Sequence, residues 1–183
     1  MKHGSVVVGL ALLALSTLRG AEPSKLNSGV TRLPVALDRD FEFRKTKLFF
    51  LNPTPPKAQV SKFRSVARGA AAADASISFE RSYRLFGAIT ALDQRQRFGD
   101  YMEFFWRAKR DADVTVRLEY RQEKLRAFTQ SREVNYPAAR GSHKTEFQII
   151  GDDYADDGRV LAWRCLLITG GRVVAENRSY LWK

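Results

Sequence analysis

The clearest alternation of apolar and polar side chains lies in the middle of the chain, between Tyr101 and Gln122. Two sets of apolar residues keep one parity there, first Met102, Phe104, Trp106 and Ala108, and then Val114, Val116, Leu118 and Tyr120. A period of two is typical of a half-buried strand. We therefore predict two strands, at residues 101–109 and 114–120.

Residues 110–113, with the sequence RDAD, interrupt this apolar pattern. Short polar side chains favour turns, so the simplest connection is an antiparallel hairpin. One register pairs Trp106 with Leu118 and therefore Glu103 with Arg121. The other pairs Trp106 with Val116 and therefore Glu103 with Glu119. The first register is favoured because it avoids a like-charge pair. The alternative is that the two strands belong to opposite sheets.

Further strands are predicted on both sides of this stretch. The candidates are 32–37, 41–51, 76–85, 127–136, 145–149, 159–169 and 172–182. Gly170-Gly171 is a turn signal that makes the last two a hairpin. Because 159–169 is apolar on both parities at its centre, we expect a central strand covered on both faces. Residues 89–98 are predicted to form a connection with one helical turn.

The predicted fold class is all-β. About seven of these strands lie from Ser76 onward or slightly before it, at spacings near ten residues and with no long helix. This pattern indicates an antiparallel β-sandwich, with a β-barrel as the runner-up. Trp106 in a middle strand and Trp163 two residues before Cys165 resemble the core of an immunoglobulin or fibronectin-III domain. There is no second cysteine, so the resemblance implies architecture and no activity.

The first residues have the layout of a secretory signal peptide. Lys2 and His3 precede an apolar run at residues 6–15, which is shorter than the roughly 20 residues of a membrane span. We expect cleavage after Ser16, or as late as residue 21; the alternative is a retained anchor. The predicted organisation is a signal peptide at 1–16, a spacer with short strands at 17–75, and a β-core at 76–183. The processed protein is expected to be periplasmic or extracellular, without a transmembrane span.

The chain is strongly basic, with 31 Lys and Arg against 20 Asp and Glu and a net charge of +11. Export argues against nucleic acid, so the expected partner is an envelope protein or a polysaccharide. Residues 43–73 contain no acidic residue. Seven basic residues there form a candidate anion-binding segment, or a solvated linker: Arg44, Lys45, Lys47, Lys57, Lys62, Arg64 and Arg68.

Few catalytic chemistries fit the composition. Beyond the signal segment His143 is the only histidine, and Cys165 is the only cysteine of the chain, which argues against zinc and against a serine triad. We expect no cofactor. An acidic loop is a candidate calcium site, or a plain hairpin turn, although it departs from the helix–loop–helix calcium pattern. Its possible ligands are Asp152, Asp153, Asp156 and Asp157.

One outward face of the two central strands mixes aromatic and basic residues, which suits protein or polysaccharide contacts. The predicted contact residues are Tyr101, Phe105, Arg107, Arg117 and Arg121. The sequence favours an exported, non-enzymatic protein of the cell envelope with a binding or structural role. One alternative is a carboxylate-based hydrolase acting on envelope or extracellular polysaccharide. The other is a basic protein that associates with anionic lipid or polymer.

Overall fold

One antiparallel sheet dominates the computed structural model, which describes residues 24–26, 30, 32–54 and 67–183. Six strands join it in the order β1-β4-β3-β5-β6, with β2 also paired to β3. Along the chain the elements are β1 Ser24–Leu26, β2 Phe41–Leu51, α1 Ala67–Leu85, α2 Ala91–Arg95, β3 Gly99–Gln122, β4 Gln130–Ile150, α3 Asp152–Asp157, β5 Val160–Thr169 and β6 Arg172–Arg178. The predicted signal peptide lies outside the described residues.

The all-β class is confirmed, because the protein is mostly antiparallel sheet with 56% strand and 17% helix. The arrangement is a curled half-barrel whose five longer strands belong to a single sheet, and not clearly a seven-strand sandwich. The number of strands is lower than predicted because two pairs of predicted strands are each one long strand, and because residues 32–37 and 76–85 do not form strands.

The first of these long strands is β3. The predicted hairpin at residues 110–113 is wrong, since β3 runs unbroken from Gly99 to Gln122 and pairs with β4 along most of its length. On its other edge β3 pairs first with β2 and then with β5. The register to β4 shifts on both sides of Ala112, so the polar stretch is a bend within one strand. Neither predicted register therefore exists.

The residues of β4 were likewise predicted as two strands, 127–136 and 145–149, so the residues between them were expected to form a loop. Strand β4 continues through that loop, which contains Ala138 and Gly141 at positive φ and a register shift against β3. Pro137 is accommodated because β1 pairs with β4 only at residues 131–133, which leaves the outer edge of Pro137 free of a partner strand among the described residues. The bends of β3 and β4 thus coincide.

The core forms where the bend brings the two halves of β3 together. Phe104 lies in the first half, and its ring makes a T-shaped contact with Trp163 of β5, at 5.3 Å between centroids. The same ring contacts Phe43 of β2 and Phe147 of β4. All eight inward residues predicted on β3 are buried, which confirms the parity assigned from the sequence.

The predicted hairpin near the end of the chain is confirmed. β5 and β6 are joined by Gly170-Gly171, both at positive φ as a two-residue hairpin turn requires. β5 is also covered on both faces, because Leu166, Ile168 and Val173 form a second cluster on the side away from the core, with Leu33 against it. Residues 34–38 follow β6 through backbone hydrogen bonds with Val173 and Val174.

The strand predicted at residues 76–85 is wrong, because these residues belong to helix α1. Arg84 attaches this helix to the sheet. Its guanidinium donates to Glu80 at 2.9 Å and to Glu146 at 2.6 Å, and lies 3.6 Å from Glu103 and 4.3 Å from the Tyr101 ring centre. Burial alone would lower the pKa of Arg84, but the hydrogen bonds to Glu146 and Glu80 raise it above its usual value.

Glu103 and Glu146 are cross-strand neighbours, a like-charge pair that Arg84 neutralises together with Lys144 and Lys47. A partly buried cation between two carboxylates therefore holds α1 to β3 and β4. The predicted helical turn between residues 89 and 98 is confirmed as α2, which begins with a capping box formed by Thr90 and Asp93.

Phe104→Ala is expected to reduce the free energy of unfolding by about 3–5 kcal/mol, because it leaves a cavity where the two halves of β3 meet. Chemical denaturation measures this loss. Phe86→Ala, at a residue that is 84% exposed, is the matched control and should change stability by less than about 0.5 kcal/mol. Equal effects of the two substitutions would contradict the described core.

Arg84→Gln should loosen α1 while leaving the sheet folded, since Glu103 and Glu146 then lose the cation between them. We expect about 1–3 kcal/mol less stability, measured as faster amide hydrogen exchange within residues 75–85. Arg95→Gln is the control, because Arg95 is exposed and lies 3.9 Å from its partner Asp152. Unchanged protection of α1 in Arg84→Gln would show that other contacts hold the helix.

Candidate functional site

An open groove of about 600 Å³ lies over the outward face of the second half of β3 and of β5 and β6. The strands contribute its floor, the chain before β2 forms one wall, and the loop after β3 and the last residues form another. Its lining includes four arginines, one carboxylate and one tryptophan, which are Arg32, Arg121, Arg164, Arg178, Glu119 and Trp182.

The groove is positively charged. Five lining side chains are cationic, Arg32, Arg121, Arg164, Arg178 and Lys183, whereas two are carboxylates, Glu119 and Glu176. Such an excess of cations in a concave surface attracts anions more strongly than the same charges on a convex surface.

The carboxylate at the floor is Glu119, which is only 1% exposed although it lies on the outward face of β3. Its Oε2 accepts a hydrogen bond of 2.6 Å from Arg164, its cross-strand neighbour on β5. Its Oε1 is buried without a hydrogen bond and lies 3.9 Å from Arg117. A buried carboxylate that needs cationic neighbours explains why Arg164 is fixed at this point of the groove.

Trp182 holds two of the cations from a second direction. The guanidinium groups of Arg121 and Arg164 lie 4.6 and 5.2 Å from the centre of its ring, at cation–π distance. Arg121 also donates to the hydroxyl of Thr129 at 3.3 Å. Because their positions are already set, these two arginines lose little conformational entropy when an anion binds.

The rest of the lining is apolar. Leu166, Val173 and Leu33 form a continuous apolar patch in the groove, and Phe128 and Val35 are about half and two thirds exposed beside it. The site thus combines a hydrophobic surface with a cationic surround. This arrangement suits a ligand that has both flat apolar faces and negative charges.

The structure divides the five contact residues predicted from the sequence. Arg121 lines the groove, and Arg117 lies next to it in an ion pair with Glu133. The other three lie in the first half of β3. There Tyr101 is 3% exposed, with its hydroxyl donating to Arg97 O, so it offers no free surface, whereas Phe105 is half-buried under Lys47 and Arg107 is exposed.

The predicted anion-binding segment is described only in part. Arg44 pairs with Glu42 at 3.0 Å and Lys47 with Glu103 at 3.8 Å, while Lys45 is exposed on β2. Lys57, Lys62 and Arg64 lie outside the described residues, and Arg68 belongs to α1.

The acidic residues predicted as a calcium loop or hairpin turn form the short helix α3 instead. Asp153 pairs with Arg132, and Asp152 lies toward Arg95 and Gln96. Asp156 is exposed, and the carbonyl of Asp157 accepts from Lys124 N. Within the described ranges no three His, Cys, Asp or Glu residues are grouped so as to hold a metal.

Helix α3 closes one end of the half-barrel through a buried amide. Gln122 donates to the carbonyls of Asp153 and Gly158 at 2.8 and 2.7 Å, and accepts from Gln130 at 2.6 Å. Asp100 lies near this end and accepts from Val160 N at 2.9 Å. Burial raises the pKa of Asp100 to about 6, against the lowering effects of the Val160 amide and Arg159.

His143, which was considered as the base of a serine triad, and Cys165 both pack against core residues. His143 stacks on Trp106 at 4.6 Å between ring centroids, and its neighbour Ser142 points to the opposite face of β4. Cys165 is fully buried in the core, and this burial raises the pKa of its thiol.

Comparison with known proteins gives no family: no family model, no curated protein and no solved structure matches the chain. Among the helices that the structure describes, none has the length and apolar character needed to cross a bilayer.

The sequence alone did not reveal most of the groove. Glu119 has the pattern of an outward surface residue, and Arg164 lies inside an apolar run. Trp182 belongs to a predicted strand and gives no sign that it packs on Arg121, some 60 residues earlier. The only available signal was a charged residue within an apolar stretch, since such a residue needs a partner.

The raised pKa of Asp100 predicts a pH dependence of stability. Because the folded pKa of about 6 exceeds the usual 3.8, the protonated acid is favoured in the folded state, so stability should fall as the pH rises from about 4 to about 6. Asp100→Asn removes this loss and should stabilise the protein by about 1–3 kcal/mol at pH 7, with little gain below pH 4. Unfolding curves between pH 3.5 and 7.5 measure the difference, and the exposed Asp156→Asn is the control. A gain that is equal at every pH would contradict this origin.

Proposed function

We propose that this chain is an exported, non-enzymatic binding protein of the cell envelope, whose groove holds a segment of an acidic polysaccharide. The observation that carries the proposal is the set of fixed arginines around an apolar floor. Arg164 is held by Glu119 and Trp182, and Arg121 by Trp182 and Thr129.

A chain of charged sugars fits this surface for two reasons. Sugar rings present flat C–H faces that pack on apolar groups such as Leu166 and Phe128, while carboxylates pair with arginines. The volume of the groove, about 600 Å³, is large enough for a short segment of such a chain. In the proposed periplasmic or extracellular location, acidic polysaccharide is also an abundant anion, and the net charge of +11 favours its approach.

The hydrolase alternative has weaker support. A carboxylate pair needs one acid free to donate a proton and a second free to act as base or nucleophile. Of the two carboxylates that line the groove, Glu119 is committed to Arg164. Asp100 has a raised pKa, but it lies near α3 and does not line the groove. We therefore propose binding without turnover.

The test uses the chain from Thr17 onward, which includes every described residue. Binding of a polyuronate to this chain is compared with binding of neutral dextran. Arg32→Gln combined with Arg178→Gln removes two exposed cations of the groove and should weaken polyuronate binding about tenfold or more, measured by calorimetric titration. Arg107→Gln combined with Arg172→Gln removes the same charge from exposed positions outside the groove lining and is the matched control.

We expect the control variant to bind within about twofold of the parent chain, and dextran not to bind. Equal weakening by the two double variants would mean that the polymer is attracted by total charge alone, and the groove would lose its assigned role. Shortening of the polyuronate during the experiment would contradict binding without turnover.

A further inference from the structure

In residues 75–85 of helix α1, where the structure describes the side chains, Phe79 and Tyr83 are exposed while the three charged residues are partly buried. Arg84 and Glu80 face the sheet and form ion pairs there, and Arg81 donates to the carbonyl of Asn52. Beside them on the helix, Phe79 and Tyr83 are 72% and 65% exposed, and the Arg84 guanidinium lies 5.8 Å from the centre of the Tyr83 ring. A helix of a monomeric protein ordinarily has the reverse orientation.

The exposed residues form one stripe. Phe79 and Tyr83 are spaced i and i+4, which places them on one side of the helix. Phe86 continues this spacing at i+7, directly after the last helical residue, Leu85. Ile89 and Leu92 follow at 88% and 65% exposure. We call these five residues the aromatic stripe. The other side chains described as exposed on α1 carry no charge, and they are Ala75, Ser76, Ile77, Ser78 and Ser82.

Cations flank the stripe. Lys47, Arg84 and Arg97 line the surface depressions to which Tyr83 also contributes, and Glu80, Glu103 and Glu146 line them too. In sequence, the chain that leads into the exposed part of α1 carries Lys57, Lys62, Arg64 and Arg68, with no acidic residue between Phe43 and Ala73. An uncharged aromatic surface bordered by cations is complementary to an anionic lipid surface, where aromatic rings lie at headgroup level and Lys and Arg contact the headgroups.

We propose that α1 is an interfacial helix, which lies on an anionic lipid surface with the aromatic stripe inserted among the headgroups. The basic residues before and beside it supply the electrostatic attraction. A second copy of the chain is a poorer occupant, because each copy has 31 Lys and Arg against 20 Asp and Glu and two such copies repel each other. This surface is separate from the groove, so the inference stands independently of the proposed polysaccharide binding.

The experiment is flotation of the chain from Thr17 onward with vesicles of phosphatidylcholine containing 30% phosphatidylglycerol. Phe79→Ser combined with Phe86→Ser should reduce the bound fraction on the order of tenfold, because it removes the inserted rings. The two residues are exposed, so folding should be unchanged by circular dichroism. Leu161→Ser combined with Tyr180→Ser changes two other exposed apolar residues and should bind as the parent chain does.

Binding should also fall as salt is raised, and pure phosphatidylcholine vesicles should recover little protein. Substitution of Lys57, Lys62 and Arg64 by Gln should weaken binding to the anionic vesicles while leaving the stripe intact. Vesicle binding that the stripe variant retains in full would overturn the proposal. A dimer of the parent chain that disappears in the stripe variant, without vesicle binding by either, would assign the stripe to self-association instead.

Discussion

The structure depends on one constraint, which is that β3 is too long for the domain to which it belongs. Its 24 residues would extend about 80 Å as a straight strand, whereas a chain of this length packs into a domain roughly 40 Å across. The strand must therefore bend, and it does so between Ala108 and Val114, where its register to β4 shifts. The bend makes two half-sheets out of one, so that Phe104 from the first half meets Trp163 beside the second. The hydrophobic core, and hence the stability of the fold, follows from this bend.

The bend also decides what happens to the outward faces. Each half-sheet has an outer surface of its own, and each is charged. Over the first half, Glu103 and Glu146 are neighbours, and the cation that neutralises them, Arg84, belongs to α1. Over the second half, Glu119 binds Arg164 beneath the chain that leads to β2. Each outer face therefore has a carboxylate that an arginine neutralises. In the first half this ion pair attaches α1, and in the second half it fixes an arginine in the groove.

The sequence identified the inward side of β3 and of the second part of β4, because a side chain's parity depends only on the local backbone. It could not distinguish a turn from a bend, since residues 110–113 have the composition of either. Whether the chain reverses there is decided by pairing with β2, β4 and β5, which lie far away in sequence. The error at residues 76–85 has a different cause. Ile77, Phe79, Tyr83 and Leu85 share a parity, and the usual assumption that apolar residues face inward then predicts a strand. In this helix the charged residues face inward, because the surface that receives them is itself charged.

This reversal of α1 connects the two candidate surfaces. Had the sheet presented an apolar outer face at Glu103 and Glu146, the aromatic residues of α1 would have packed against it and the helix would have exposed its charges. Because the outer face is acidic there, it selects the basic side of the helix and leaves Phe79, Tyr83 and Phe86 to solvent. These three aromatic rings contribute little to folding, because they are exposed in the unfolded chain as well, and a surface that covered them would add stability. The groove already contains a partner for one of its cations, since Glu119 binds Arg164 there. An occupant of either surface that binds only the folded chain adds to the stability of the whole fold.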